Sequence, residues 1–237
     1  MSHVRVLGAD ACPGAWIGIA VCGCAGCGSD VRAYVDTEIE SLVLRAAADG
    51  PLSVVGIDMP IGLADSGLRR ADVLARAAAG PRWQSVFMTP VRSALDAGDY
   101  ALAVAENQRC GGGGISRQAF GLRAKIGQVD RWLRTPPADL RMVEVHPELS
   151  FGAMAGAPLP ERKSAWAGVV RRRQLLADQG IVLPDDIGEP GRTAKPDDVL
   201  DAAAVAWTAL RVARGDARCL PDPPERYSDG IECSIWS

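Results

Sequence analysis

The sequence lacks a basic opening followed by an apolar run, and no later stretch approaches the roughly eighteen uninterrupted apolar residues that a membrane-spanning helix requires, so neither a secretory signal nor a membrane span is expected. The cytoplasm is the expected compartment. There is no GxGxxG after the first candidate strand and no GxxxxGKS or GxxxxGKT anywhere, which weighs against a dinucleotide-dependent dehydrogenase and a P-loop enzyme. A disulfide framework is also missing: seven cysteines are an odd number, and in a reducing compartment they remain thiols. Cys12, Cys22, Cys24 and Cys27 lie close in sequence, but they do not form two CxxC pairs. Small apolar filling around a hairpin turn is therefore favoured over a zinc site. Nor does a net charge of -3 provide the broad positive field of a protein that coats nucleic acid. The average hides an asymmetry, because eleven Arg or Lys face five Asp or Glu between Arg69 and Arg134.

What is present is the balance of a soluble globular protein, with 48% hydrophobic and 23% charged residues. The 237 residues suit one domain with a large insertion. Residues 3 to 9 read as a buried strand that delivers Asp10, residues 15 to 22 as a second strand after the ACPG turn, and residues 31 to 35 as a short third. Ile39, Leu42, Val43 and Ala46 have helical spacing, with Thr37 placed to cap the helix. The continuous apolar run from Leu52 to Ile57 reads as an interior strand ending at Asp58. This order, three strands, a helix and a strand, differs from a doubly wound nucleotide-binding unit, which alternates from the start.

Residues 68 to 134 are mostly helical in pattern and read as an insertion between the fourth and fifth strands, with Ser116 capping a helix over 117 to 133. Residues 141 to 145 form the expected fifth strand. Helices are expected over 166 to 179 and 198 to 214, separated by a Pro and Gly-rich connection from Pro184 to Pro196. The proline-rich tail, 220 to 237, is expected to pack over the domain with at most a short strand at 231 to 236. The fold class is thus α/β, a mixed five-stranded sheet flanked by helices.

The chemistry rests on acidic residues. Asp10 and Asp58 end two candidate parallel strands, where open sheets place ligand sites. Asp198 and Asp201 are three apart and share one face of a helix's first turns, and small residues behind them let that helix approach the sheet. Carboxylates brought together repel unless a hard cation joins them, and Mg2+ or Mn2+ would supply that cation. Glu144 is a candidate further ligand on the strand face that also carries His146, which can ligate, relay a proton or position phosphate. Each has a bland alternative: Asp58 can cap the IDMP turn, Asp197 or Asp198 can cap its helix, and His146 can bond a backbone carbonyl. Lys163 and Arg171, in the run Arg171 to Arg173, are candidate phosphate contacts, as are Arg82 and Arg92, which flank Phe87 and Pro90.

These segments, GADACPGAW, VVGIDMPIGL, RRAD, ARAAAGPRWQSVFMTPVR, QAFGLRAKIGQVD, MVEVHPELSFGAMAG, RRRQLL and DDVLDAAAVAWTA, occur in an order and spacing that resemble the DUF429 family of predicted RNase H-like nucleases over nearly the whole chain. The resemblance implies an RNase H-like core in which Asp10, Asp58 and either Asp198 or Asp201 match the acidic positions, while Glu144, His146 and Glu148 belong to the family's own signature. The expected function is metal-dependent hydrolysis of a phosphodiester in nucleic acid. The alternatives are a phosphatase or nucleotide hydrolase acting on a small phosphorylated substrate, and a noncatalytic binding or scaffold domain. An Ala-rich helix and scattered tryptophans leave room for a homodimer.

Overall fold

The computed structural model describes residues 4–23, 31–135, 137 and 139–237. Three strands, β1 (Arg5–Cys12), β2 (Ala15–Cys22) and β3 (Arg32–Asp36), form an antiparallel meander. The first hairpin closes tightly, with Cys12 paired to Ala15 across Pro13 and Gly14. Proline presets the first turn position and Gly14, at φ 71°, takes the left-handed second, which is the chemistry of a type II turn. Helix α1 (Ile39–Ala48) then crosses to β4 (Val54–Ile57), which lies parallel to β1 with Val6 opposite Val54. Thr37 does not cap α1; the N-cap is Glu38, and its side chain makes no capping bond.

Between β4 and β5 (Arg141–Val145) run α2 (Arg70–Ala78), a 3-10 turn (Gly80–Ser85), α3 (Arg92–Leu95), α4 (Tyr100–Arg109), α5 (Arg117–Gly121) and α6 (Arg123–Trp132). Ser116 does cap α5, accepting from the Ala119 N–H at 3.0 Å, but the single helix expected here is interrupted at Leu122. After β5 come α7 (Pro147–Ala155), α8 (Trp166–Asp178), α9 (Glu189–Thr193) and α10 (Pro196–Arg214).

The tail differs from expectation. It forms β6 (Cys219–Arg226) and β7 (Glu232–Trp236), so the sheet has seven strands rather than five, in the order β3-β2-β1-β4-β5-β7-β6. Strand β7 is parallel to β5 and antiparallel to β6. Pro221, Pro223 and Pro224 removed β6 from the sequence reading because proline cannot donate to a ladder. The sheet accommodates them by placing β6 at its edge, where one side of the strand needs no partner.

Strand β1 explains how the two faces are built. Leu7 and Ala9 join the core beneath α1 and α6, while Val6 joins the opposite core formed with α7, α8 and α10. Gly8 and Asp10 share the parity of Val6 and therefore face α10. A Cβ at Gly8 would lie 2.1 Å from Ala206 N and 2.2 Å from Ala202 O, and one at Gly56 on β4 would lie 2.8 Å from Val205 Cγ1. Helix α10 thus lies directly on backbone, with Ala202, Ala203, Val205 and Ala206 fully buried. This close seating sets how far Asp201 stands from the strand-end carboxylates.

Candidate metal centre and active site

Asp10 lies near the end of β1, and Asp58 follows β4 directly, its backbone N–H bonding Ala9 O at 2.8 Å. Asp201 projects from the second turn of α10. One carboxylate oxygen from each of Asp10, Asp58 and Asp201 lies within 4.8 Å of the other two. Asp10 is 7% exposed; one of its oxygens accepts from the Ala11 N–H at 2.7 Å, and the other has no hydrogen-bond partner among the described residues. The Asp58 carboxylate makes no hydrogen bond among them either. The cap reading of Asp58 therefore fails. Asp198 does follow its bland reading, accepting from the Lys195 N–H at 3.2 Å in a capping box, although it also lines the cavity beside the triad.

Burial and mutual repulsion favour the protonated forms of these carboxylates unless a cation joins them. Burial, then repulsion from Asp58 and Asp201, raises the Asp10 pKa well above its ordinary value. Burial raises Asp58 to about 7. It raises Asp201 to about 6 even with Lys163 beside it. Asp198 is also raised by burial. Lys163 Nζ donates to Asp201 Oδ2 at 2.5 Å and lies 3.9 Å from Asp197 Oδ2. Burial disfavours the ammonium, but Asp201 outweighs it and holds the lysine pKa above its usual value. Hard oxygen donors converging without enough hydrogens to satisfy them fit Mg2+ or Mn2+ in kind.

The triad and Lys163 form part of a cavity of about 360 Å³. Ser85, Phe87, Gln118 and Leu122, from the segment between β4 and β5, line it together with His146 and Glu148. None of these four is a candidate site residue from the sequence, where Phe87 figures only between Arg82 and Arg92. Their signal is purely tertiary, since nothing in their local pattern separates them from core or surface.

Several expected site residues are placed elsewhere. Glu144, expected as a further ligand, accepts from the Ile61 N–H at 2.7 Å and forms a buried ion pair with Arg69, which also donates to Thr89 Oγ1 at 2.8 Å. Both bonds fall on its Oε2, which is committed to that network. His146 reaches the cavity, but it caps α7: Nδ1 accepts from the Glu148 N–H at 3.3 Å and Nε2 lies 3.4 Å from Ser85 O. These partners suit a neutral ring protonated at Nε2, and burial lowers its pKa. Arg82 donates to the carbonyls of Leu159 and Pro160, and Arg92 pairs with Asp130 and Asp229, so both brace the fold rather than face the cavity. Arg171 is exposed. Its neighbour Arg172 is fully buried and holds Glu148 by two bonds of 2.8 and 2.9 Å, a pairing the sequence reading missed. Of the Lys and Arg residues expected as phosphate contacts, only Lys163 lines the cavity.

Cys12 is a buried thiol, Cys24 and Cys27 lie outside the described residues, and no cysteine joins a metal-ligand cluster among those described. Among the described residues no helix is long and apolar enough to cross a membrane.

The fold and site define a mixed α/β protein with a largely buried carboxylate triad where two parallel strands meet α10. A family model described as protein of unknown function, DUF429, matches residues 8–226, and the chain belongs to that family. No curated protein and no solved structure gives a match.

Proposed function

We propose that this protein is a divalent-metal-dependent hydrolase of phosphodiester bonds in nucleic acid, built on an RNase H-like core. The observation that carries the reading is the approach of Asp10, Asp58 and Asp201 to within 4.8 Å of one another on the floor of a cavity. The order β3-β2-β1-β4-β5, with a meander followed by two parallel strands, supports the RNase H-like assignment. Carboxylates too far apart to share an ion would have favoured a noncatalytic binding or scaffold domain; their approach supports the metal-dependent reading instead.

Asp10, Asp58 and Asp201 would hold the ion, with Asp198 at the rim. A bound Mg2+ or Mn2+ lowers the pKa of a coordinated water and neutralises charge on a phosphoryl oxygen. The chain does the positioning. Burial of Asp10 and Asp201 limits competing water, Lys163 adds a fixed positive charge to the same space, and Phe87 and Leu122 offer an apolar wall for an unstacked base. His146, already bonded at both nitrogens, shapes the wall and keeps α7 in place.

A small phosphorylated substrate is the second reading. It is favoured by the confined cavity and by the commitment of Arg82 and Arg92 to intramolecular partners, which leaves Lys163 as the one Lys or Arg lining it among the described residues. One assay separates the two. Purified protein with Mn2+ is offered single-stranded and duplex DNA and RNA, mononucleotides and a simple aryl phosphate, with D10N as control. Cleavage of a strand, lost in D10N, supports the nuclease reading. Turnover of small esters alone favours the second, and no D10N-sensitive turnover refutes both.

A further inference from the structure

Lys163 is set into the carboxylate cluster by a braced segment. Arg172 Nη1 donates to Glu161 O at 3.1 Å, and Arg82 donates to the carbonyls of Leu159 and Pro160, so two arginines tie down the chain just before Lys163. After it, the Ala165 N–H bonds Arg162 O at 3.0 Å, and Gly168 comes so close that a Cβ there would lie 2.0 Å from the same oxygen. The Lys163 side chain, though 41% exposed, thus departs from a backbone held on both sides and brings its ammonium to the buried Asp201. Charge gives the consequence. Asp10, Asp58 and Asp201 carry three negative charges when ionised, and Lys163 returns one, leaving two. One divalent ion neutralises that remainder. A second would have to enter beside a cation already bonded to Asp201 at 2.5 Å, which would repel it.

We propose that Lys163 occupies the place of a second cation, so that the site takes one divalent ion and the ammonium supplies the remaining positive charge to the substrate phosphoryl group. This rests on the metal-dependent reading and adds to it the stoichiometry and the role of a residue. The count is of the three converging carboxylates alone: Arg172 holds Glu148 in a two-bond pair, and Asp198, at the rim of the same cavity, gives one oxygen to the Lys195 N–H and stays outside the triad.

The test is calorimetric titration of the full chain with Mn2+, giving the number of ions bound to the wild type, K163Q and K163R, with circular dichroism melts to verify folding. The expected result is one ion for the wild type and for K163R, and two for K163Q, because loss of the ammonium frees Asp201 and Asp197 for the second ion. K163M replaces K163Q if the amide variant does not fold. Two ions in the wild type, or one in the folded neutral variant, overturns the role of Lys163 while leaving the metal reading intact. No ion bound to the wild type overturns the metal reading itself.

Discussion

Removing one carboxylate from the triad should stabilise the metal-free protein, and only at high pH. Asp58 is raised from 3.8 to about 7, chiefly by burial, and Asp201 to about 6. The folded state therefore binds protons more tightly than the unfolded chain. Metal-free stability is highest when these groups are protonated and falls as pH rises from about 4 through 6 and 7. For Asp58 the full difference corresponds to about 4 kcal/mol at alkaline pH. Its carboxylate is not wholly sealed from water, and screening reduces the effect to about 2 kcal/mol. D58N in EDTA at pH 8 should thus melt about 4–8 °C above the wild type, while at pH 5 the two should nearly coincide. Mn2+ reverses the order. At about a hundredfold excess over its dissociation constant it should stabilise the wild type by about 2.7 kcal/mol at pH 8, with much less effect on D58N. Differential scanning calorimetry at both pH values, with EDTA and with Mn2+, measures all four terms. A D58N protein less stable than the wild type in EDTA at pH 8 would refute the claim that the triad is mutually repulsive.

Other perturbations probe the scaffold. E144Q should cost about 1–3 kcal/mol in a urea unfolding curve, because Arg69, 0% exposed, would lose one of its two buried carboxylate partners and keep Asp72 at 3.4 Å; no measurable loss would argue against that pairing. G8A should cost about 1–3 kcal/mol or more and weaken Mn2+ binding together with stability, since its Cβ meets the backbone of α10 at 2.1 Å. Unchanged Mn2+ affinity in a folded G8A protein would show that α10 does not set the position of Asp201. R172M should cost about 3–5 kcal/mol by leaving the buried Glu148 without its arginine, whereas R171M, at an exposed position, should change stability by less than about 0.5 kcal/mol. Equal effects of the two would reverse the assignment within the arginine run.

Sequence alone was enough for elements whose signal is local. Strands β2 and β5 fall at the expected residues, and Ser116 caps its helix, because hydrophobic runs, turn residues and caps act over a few positions. Asp10 and Asp58 were legible for the same reason, as acids ending apolar strands. Asp201 was legible from its company: an aspartate followed by AAAVAW on a packed helix has few bland explanations. What sequence could not assign was the partner of each charge. Glu144 and Asp201 are both acids within buried elements, yet one meets Arg69, 75 positions away, and the other meets Lys163, 38 positions away. Only the seating of α10 on Gly8, and the path that returns α2 and the 159–163 segment to the sheet, decides which acid is neutralised by the fold and which remains available to a cation. Strand β6 shows the same division in the backbone: its prolines forbid a central strand, but only the assembled sheet offers an edge where they are harmless. Local chemistry is written within a few residues, whereas charge compensation and strand placement depend on contacts between distant segments that exist only after folding.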